Sequence, residues 1–138
     1  MTLNEMYSTA EASGIAVMEF PLPQNRSLSV SIGDREYIGM DSSAPMLLSE
    51  RHARLGHELG HCLYGGFYTR ATPFDLVERH EHRADKWYIL HAIPCELLFE
   101  RLRAGYDVWE IAEELDTTED YVRMAYYYYR ENIEEVCV

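Results

Sequence analysis

His57-Glu58-Leu59-Gly60-His61, followed by Glu81-His82-Arg83-Ala84-Asp85-Lys86-Trp87, is the pair of segments on which the rest of this chain is read. Two histidines four residues apart on a helix lie on one face, a turn from each other. That spacing lets both imidazoles bind one zinc ion and sets the Glu58 carboxylate against a water held there. HExxH alone is short enough to arise by chance on a charged helix, so the downstream carboxylates matter. A catalytic zinc site takes three protein ligands, and Glu81 is the candidate for the third. Residues 62–80 are enough for one helix to end and a second to return alongside it. Asp85, four residues after Glu81, shares its helical face. Glu81 can then ligate while Asp85 accepts the N–H of a ligating histidine and fixes its tautomer. His80 and His82 point about 100° to either side of Glu81 on a helix. Both read as solvated, although a shift of register would make one of them the third ligand. His52, five residues before His57, shares the ligand face poorly, and His91 reads as a packed surface residue.

Working outward from the motifs, the pattern is helix, then strands, then helices, which is an α+β chain. Leu3, Met6, Tyr7 and Ala10 have helical spacing, and Gly14 stops that helix. Residues 15–20 read as a first strand, broken by Pro21 and Pro23. Leu28, Val30 and Ile32 alternate with serines, Gly33-Asp34 signals a turn, and residues 35–40 return, giving a short antiparallel sheet. Ile38 and Met40 lie on the face opposite Tyr37, so its buried face is not clean. Ser42, Ser43 and Pro45 mark a loop. Ser49 is placed to cap the zinc helix, which runs to Tyr64 and stops at Gly65-Gly66. A loop over 67–75 contains Pro73, and the second motif helix covers about 76–91. Ala84 shares a face with Glu81 and Asp85, and its small side chain lets that helix approach the zinc helix closely. The expected layout is one domain over 1–138, with helix and sheet in 1–45, the zinc-site helices in 46–94 and a helical part in 95–138.

The C-terminal third holds a second constellation. Val108, Ile111, Ala112 and Leu115 define one amphipathic helix. Asp116-Thr117-Thr118 breaks it, with Thr117 or Thr118 as the next cap. Tyr121, Val122, Ala125 and Tyr129 continue on another. The outline is that of a helix-turn-helix. The would-be recognition helix, however, starts Thr118-Glu119-Asp120, and carboxylates there repel phosphates; only Arg123 and Arg130 on it are basic. Packing against the core is therefore preferred over DNA binding. The run Tyr126–Tyr129 reads as a half-buried face, because no basic residues interleave with it as a nucleic-acid stacking platform requires.

Composition narrows the class further. The 138 residues suit one domain, and 47% hydrophobic content supplies a modest core. No apolar run is long enough to span a bilayer. The start, Met1-Thr2-Leu3-Asn4-Glu5, lacks the basic and apolar regions of a signal peptide. The three cysteines, Cys62, Cys95 and Cys137, are odd in number and unpatterned, which argues against a disulfide framework and for a reducing compartment. The expectation is a cytoplasmic chain with no membrane partner. A formal charge of −12 disfavours phosphate backbones and suits either a basic partner protein or a solvated acidic surface.

With these residues in place, the chain resembles the ImmA/IrrE-like metallopeptidases. His57–His61 followed by Glu81 to Trp87 is similar to that family's HExxH…ExxAD-x-aromatic signature, and Pro94 resembles the proline that closes its second helix. The likeness covers about residues 30–130 and is specific only in the two motif helices. It implies a small zincin-like domain of the gluzincin type, with His57, His61 and Glu81 as ligands to Zn2+ and Glu58 as the base. It also implies a protein or peptide substrate, with a helix-turn-helix repressor of a mobile element or stress response as the partner. The chain departs from the pattern at Arg83, at Tyr88 where a small residue is frequent, and at His91-Ala92-Ile93. These positions bear on packing and substrate fit more than on ligation.

The expected chemistry is peptide hydrolysis. Glu58 takes the proton of a metal-activated water and passes it to the leaving nitrogen. An exposed strand edge near Ile38–Asp41 would hold an extended substrate by strand addition. Two other classes stay open: a metal-bound interaction or sensing module without turnover, and an acidic helix-turn-helix regulator.

Overall fold

A computed structural model describes residues 1–65 and 74–132. Gly66, the loop around Pro73 and Cys137 lie outside them. The first helix, α1 (Leu3–Ala12), opens on a reciprocal cap: Thr2 Oγ1 accepts the Glu5 N–H at 3.1 Å, and Glu5 Oε2 accepts the Thr2 N–H at 2.7 Å. It ends where the chain turns through Gly14 at φ 72°, a left-handed conformation that glycine adopts without strain.

Three strands follow: β1 (Ala16–Phe20), β2 (Ser27–Ile32) and β3 (Arg35–Asp41). Their order is β1-β3-β2. β2 and β3 form the hairpin expected at Gly33, but β1 pairs with β3 in parallel, so the sheet is mixed rather than antiparallel. The reason lies in burial. β3 is covered on both faces, with Ile38, Gly39, Met40 and Asp41 all buried, and such a strand belongs in the middle. Phe20 and Leu22 close one side over Gly39, where an added Cβ would lie 2.8 Å from the Phe20 ring. The stretch Ile38–Asp41 is therefore central and offers no free edge, which corrects the edge expected there; the edge toward the helices is β2.

β2 also reverses its apparent polarity. Ser27 pairs with Met40 and Ser29 with Ile38, so these serines share the sheet face of the core residues. Val30 and Ile32, on the opposite face, are exposed. The hinge before β2 rests on Asp41, a buried carboxylate. It accepts N–H groups from Leu22 at 2.7 Å and Ser43 at 2.9 Å, and pairs with Arg26 at 3.0 Å.

The remainder is helical: α2 (Leu48–Gly60), a wider π-helical turn over His61–Gly65, α3 (Phe74–Ala92), α4 (Cys95–Arg103), α5 (Val108–Glu114) and α6 (Glu119–Glu131). Leu47, not Ser49, stands at the α2 N-cap, and no side chain caps it. Pro94 opens α4, a separate short helix that the sequence pattern did not resolve. Thr118 is the cap of α6, accepting the Tyr121 N–H at 3.3 Å. One hydrophobic cluster joins Met6, Ile38, Met40, Leu55, Leu59, Ile89, Leu98, Ile111, Val122 and Tyr129. Cys62 is a free thiol, whereas Cys95 is disulfide-bonded, a pairing that the odd cysteine count did not suggest. No helix among the described residues is long and apolar enough to cross a membrane.

Candidate metal centre

The site exists because α2 and α3 come unusually close. At Gly60 an added Cβ would lie 2.6 Å from the carbonyl oxygen of Ala84, so the two backbones touch where a side chain would hold them apart. The small Ala84 allows this approach from the other side, as its place beside Glu81 and Asp85 suggested. One turn earlier, Gly56 lies under the ring of Tyr88, where an added Cβ would overlap it at 2.0 Å. The large residue on α3 is thus matched by a missing side chain on α2. The Tyr88 hydroxyl bonds to Nδ1 of buried His52 and shares a 2.7 Å hydrogen bond with Thr117. Burial lowers the pKa of His52 and keeps that ring neutral. His52 therefore belongs to the core, off the ligand face.

This contact sets Glu81 opposite both HExxH histidines. Glu81 Oε2 lies 2.9 Å from His57 Nε2 and Oε1 lies 3.0 Å from His61 Nε2, while the two Nε2 atoms are 3.1 Å apart. His57, His61 and Glu81 form a group that could hold a metal ion, their donor atoms all within 4.8 Å of one another. The dimensions fit. A tetrahedral ion with metal–nitrogen bonds of about 2.0–2.1 Å would separate two nitrogen ligands by about 3.3 Å. Two imidazole nitrogens and a carboxylate, with room for a further ligand, are also the donor set of a catalytic rather than a closed structural site. His82 is exposed, and neither His80 nor His82 belongs to the group.

Asp85 Oδ1 accepts the His57 Nδ1–H at 2.8 Å, which leaves Nε2 as the nitrogen a metal could take. Burial disfavours a charged His57, but the hydrogen bonds it donates to Asp85 and Glu81 outweigh it and raise its pKa to about 10. Glu81 and Asp85 set against His57 and His61 make the pocket favourable for positive charge.

Glu58 faces the same space and is buried, 6% exposed. Its Oε2 accepts a hydrogen bond from Ser27 Oγ on β2 at 2.8 Å. The cleft encloses about 620 Å³, and its walls include Ser27, Leu28 and Ser29 of β2, Arg54 of α2, and Thr118 and Tyr121 of α6. Arg54 is tied to Glu50 at 3.0 Å and to the Asn25 carbonyl at 3.0 Å, and all three residues line the cleft. Tyr121 donates to Asp85 Oδ1 at 2.6 Å. Burial and the neighbouring Asp85 charge raise its pKa well above the ordinary phenol value, so it stays a donor. Cys62 follows His61 in sequence, but burial, with Glu36 and Glu58 nearby, pushes its thiol up to about 12.

Two residues of this site were not singled out from the sequence. Ser27 had a signal in the regular serines of β2, which mark a strand whose inner face lines a polar space. Tyr121 had none beyond its helical period with Val122 and Ala125, because its contact with Asp85 spans 36 positions. His91 is exposed and stacks on Trp87 with ring centroids 4.2 Å apart, away from the site. Compared with known proteins, the chain matches no family model, no curated protein and no solved structure.

Proposed function

We propose that this chain is a zinc-dependent peptidase in which His57, His61 and Glu81 hold the metal, Glu58 is the general base and Asp85 orients His57. The observation that carries the reading is the convergence of two Nε2 atoms and both Glu81 oxygens beside a buried, hydrogen-bonded Glu58. When bound, the ion supplies a water of lowered pKa and polarises the scissile carbonyl. The protein's own residues do the rest. Glu58, held by Ser27, accepts the water proton on its free oxygen and returns it to the leaving nitrogen. Among the described residues β2 pairs with no strand but β3, so its other edge beside the cleft accepts an extended peptide as an added strand.

For substrate, the reading follows the ImmA/IrrE-like resemblance: a DNA-binding repressor of helix-turn-helix type, cleaved at one site. The −12 charge favours encounter with a basic protein at low salt. The C-terminal helices act in this reading as a wall of the site, not as a DNA reader, since Thr118 and Tyr121 line the cleft and Glu119 and Asp120 are exposed.

The test is to incubate the metal-loaded protein with a helix-turn-helix repressor from the same genome, using casein as control. Cleavage of the former at one position, blocked by a chelator and by Glu58→Gln with metal retained, supports the proposal. Efficient casein digestion with the repressor intact points to a general peptidase. Metal binding without cleavage of either points to an interaction module. Elemental analysis decides between zinc and iron, because a two-histidine, one-carboxylate set also serves iron.

A further inference from the structure

We infer that Tyr121, on the C-terminal helix α6, is a positioning residue for the metal ligand His57 and acts through Asp85; the inference rests on the metal reading above. Asp85 Oδ1 receives two short hydrogen bonds, from Tyr121 at 2.6 Å and from His57 Nδ1 at 2.8 Å. The tyrosine oxygen is itself 3.4 Å from His57 Nδ1. Both acceptors available to that nitrogen therefore lie on one side of the ring. With a metal bound, that arrangement would keep the imidazole proton at Nδ1 and present Nε2 toward His61 and Glu81. A carboxylate bonded only to histidine would be free to rotate about its own side chain. The second donor, fixed on another helix, removes that freedom.

Tyr121 is held by features that do not involve the metal. Its ring packs edge-on against Tyr88 with centroids 4.6 Å apart. α6 is anchored by buried Val122, Ala125 and Tyr129, and the Tyr129 hydroxyl donates to the Ile93 carbonyl at 2.7 Å. Thr117, just before α6, binds Tyr88 from the same side. The hydroxyl is thus presented to Asp85 by a packed element, the arrangement in which a supporting group best orients a ligand. The C-terminal helix pair consequently belongs to the metal centre rather than standing apart from it.

The experiment measures zinc affinity by competition with a chromophoric chelator, together with the visible spectrum of the cobalt-substituted protein. The variants are Tyr121→Phe, Asp85→Ala, the double variant, and Tyr127→Phe as a control on the exposed side of α6. Phenylalanine keeps the ring against Tyr88 and removes only the hydroxyl. Tyr121→Phe is expected to weaken zinc about 10-fold, at the lower end of such supporting contacts, and to shift the cobalt spectrum. In the Asp85→Ala background it should add nothing, because the route is already cut. A purely structural loss would instead add to the effect of Asp85→Ala. Wild-type affinity and spectrum in Tyr121→Phe, or its full effect persisting without Asp85, overturns the inference alone. An unmodified chain that binds no metal overturns both it and the metal reading.

Discussion

The α2–α3 pair and the α5–α6 pair are built on opposite principles. Between α2 and α3 the contact is made by the missing side chains of Gly56 and Gly60 and the small one of Ala84, and titratable groups crowd beside it. Between α5 and α6 the contact is apolar, through Ile111, Ala112, Val122 and Ala125. The first arrangement brings charge together and gains from a cation. The second needs none. What the difference teaches is a division of labour: the apolar pair supplies rigidity, and its few polar groups, Thr117 and Tyr121, are the ones that reach across to the charged pair.

Removing a ligand should break the comparison most visibly. His61→Ala is expected to abolish stoichiometric zinc binding and with it any zinc-dependent rise in melting temperature, which calorimetry would show. A variant that still binds one tight zinc would mean the charged pair is not a metal site.

Next in size is Gly60→Val. Its branched side chain meets the Ala84 backbone, and overpacking of this kind costs about 1–3 kcal/mol. It should also lower zinc affinity, because Glu81 moves away from the histidines. Val122→Ala, in the apolar pair, is expected to cost about 1–2 kcal/mol through lost burial and a small cavity, with zinc affinity nearly unchanged. Denaturant melts with and without zinc check both. If Val122→Ala reduced zinc affinity as much as Gly60→Val, the division of labour would be wrong.

Metal affinity should fall as pH falls. In the metal-free protein His57 holds its proton up to about pH 10, so the ion displaces a proton across the whole range below that. Zinc titrations in two buffers of different ionisation heat would report proton release near neutral pH. No release would show that the proton is absent before the metal arrives.

The smallest effect lies outside both pairs, at Asp41. Hydrogen bonds from Leu22 and Ser43, with Arg26 beside it, lower its pKa from 3.8 to about 2 despite burial. A depressed carboxylate contributes stability that is present above its unfolded pKa and is lost as pH falls through the folded one. The hinge before β2 should therefore weaken between about pH 4 and pH 2. Asp41→Asn should show a flatter loss in that window, read as the denaturation midpoint at each pH.

Legibility from sequence followed the range of each interaction. His57, Glu58 and His61 were readable because i and i+4 on a helix are neighbours whatever surrounds them. Glu81 and Asp85 were readable for the same reason, together with the small Ala84 between them. Ser49 misled because capping is only a local preference; the N-cap is Leu47, two residues before Ser49, and no side chain caps the helix there. The serine alternation of β2 was visible but its direction was not. Which face is buried depends on what packs there, and here it is a polar cleft.

By itself the sequence determined part of the local geometry: α1, the shared face of His57 and His61, the acidic face of α3 and the hairpin at Gly33. Each rests on periodicity or on one residue's backbone freedom. Only the tertiary structure decided that β3 lies between β1 and β2, that Ser27 holds Glu58 and that Tyr121 reaches Asp85. Those outcomes depend on contacts between positions 31 and 36 apart, or on competition for the most buried place in a sheet. Side-chain spacing along one element carries no information about them, because the partner is chosen by how the whole core closes.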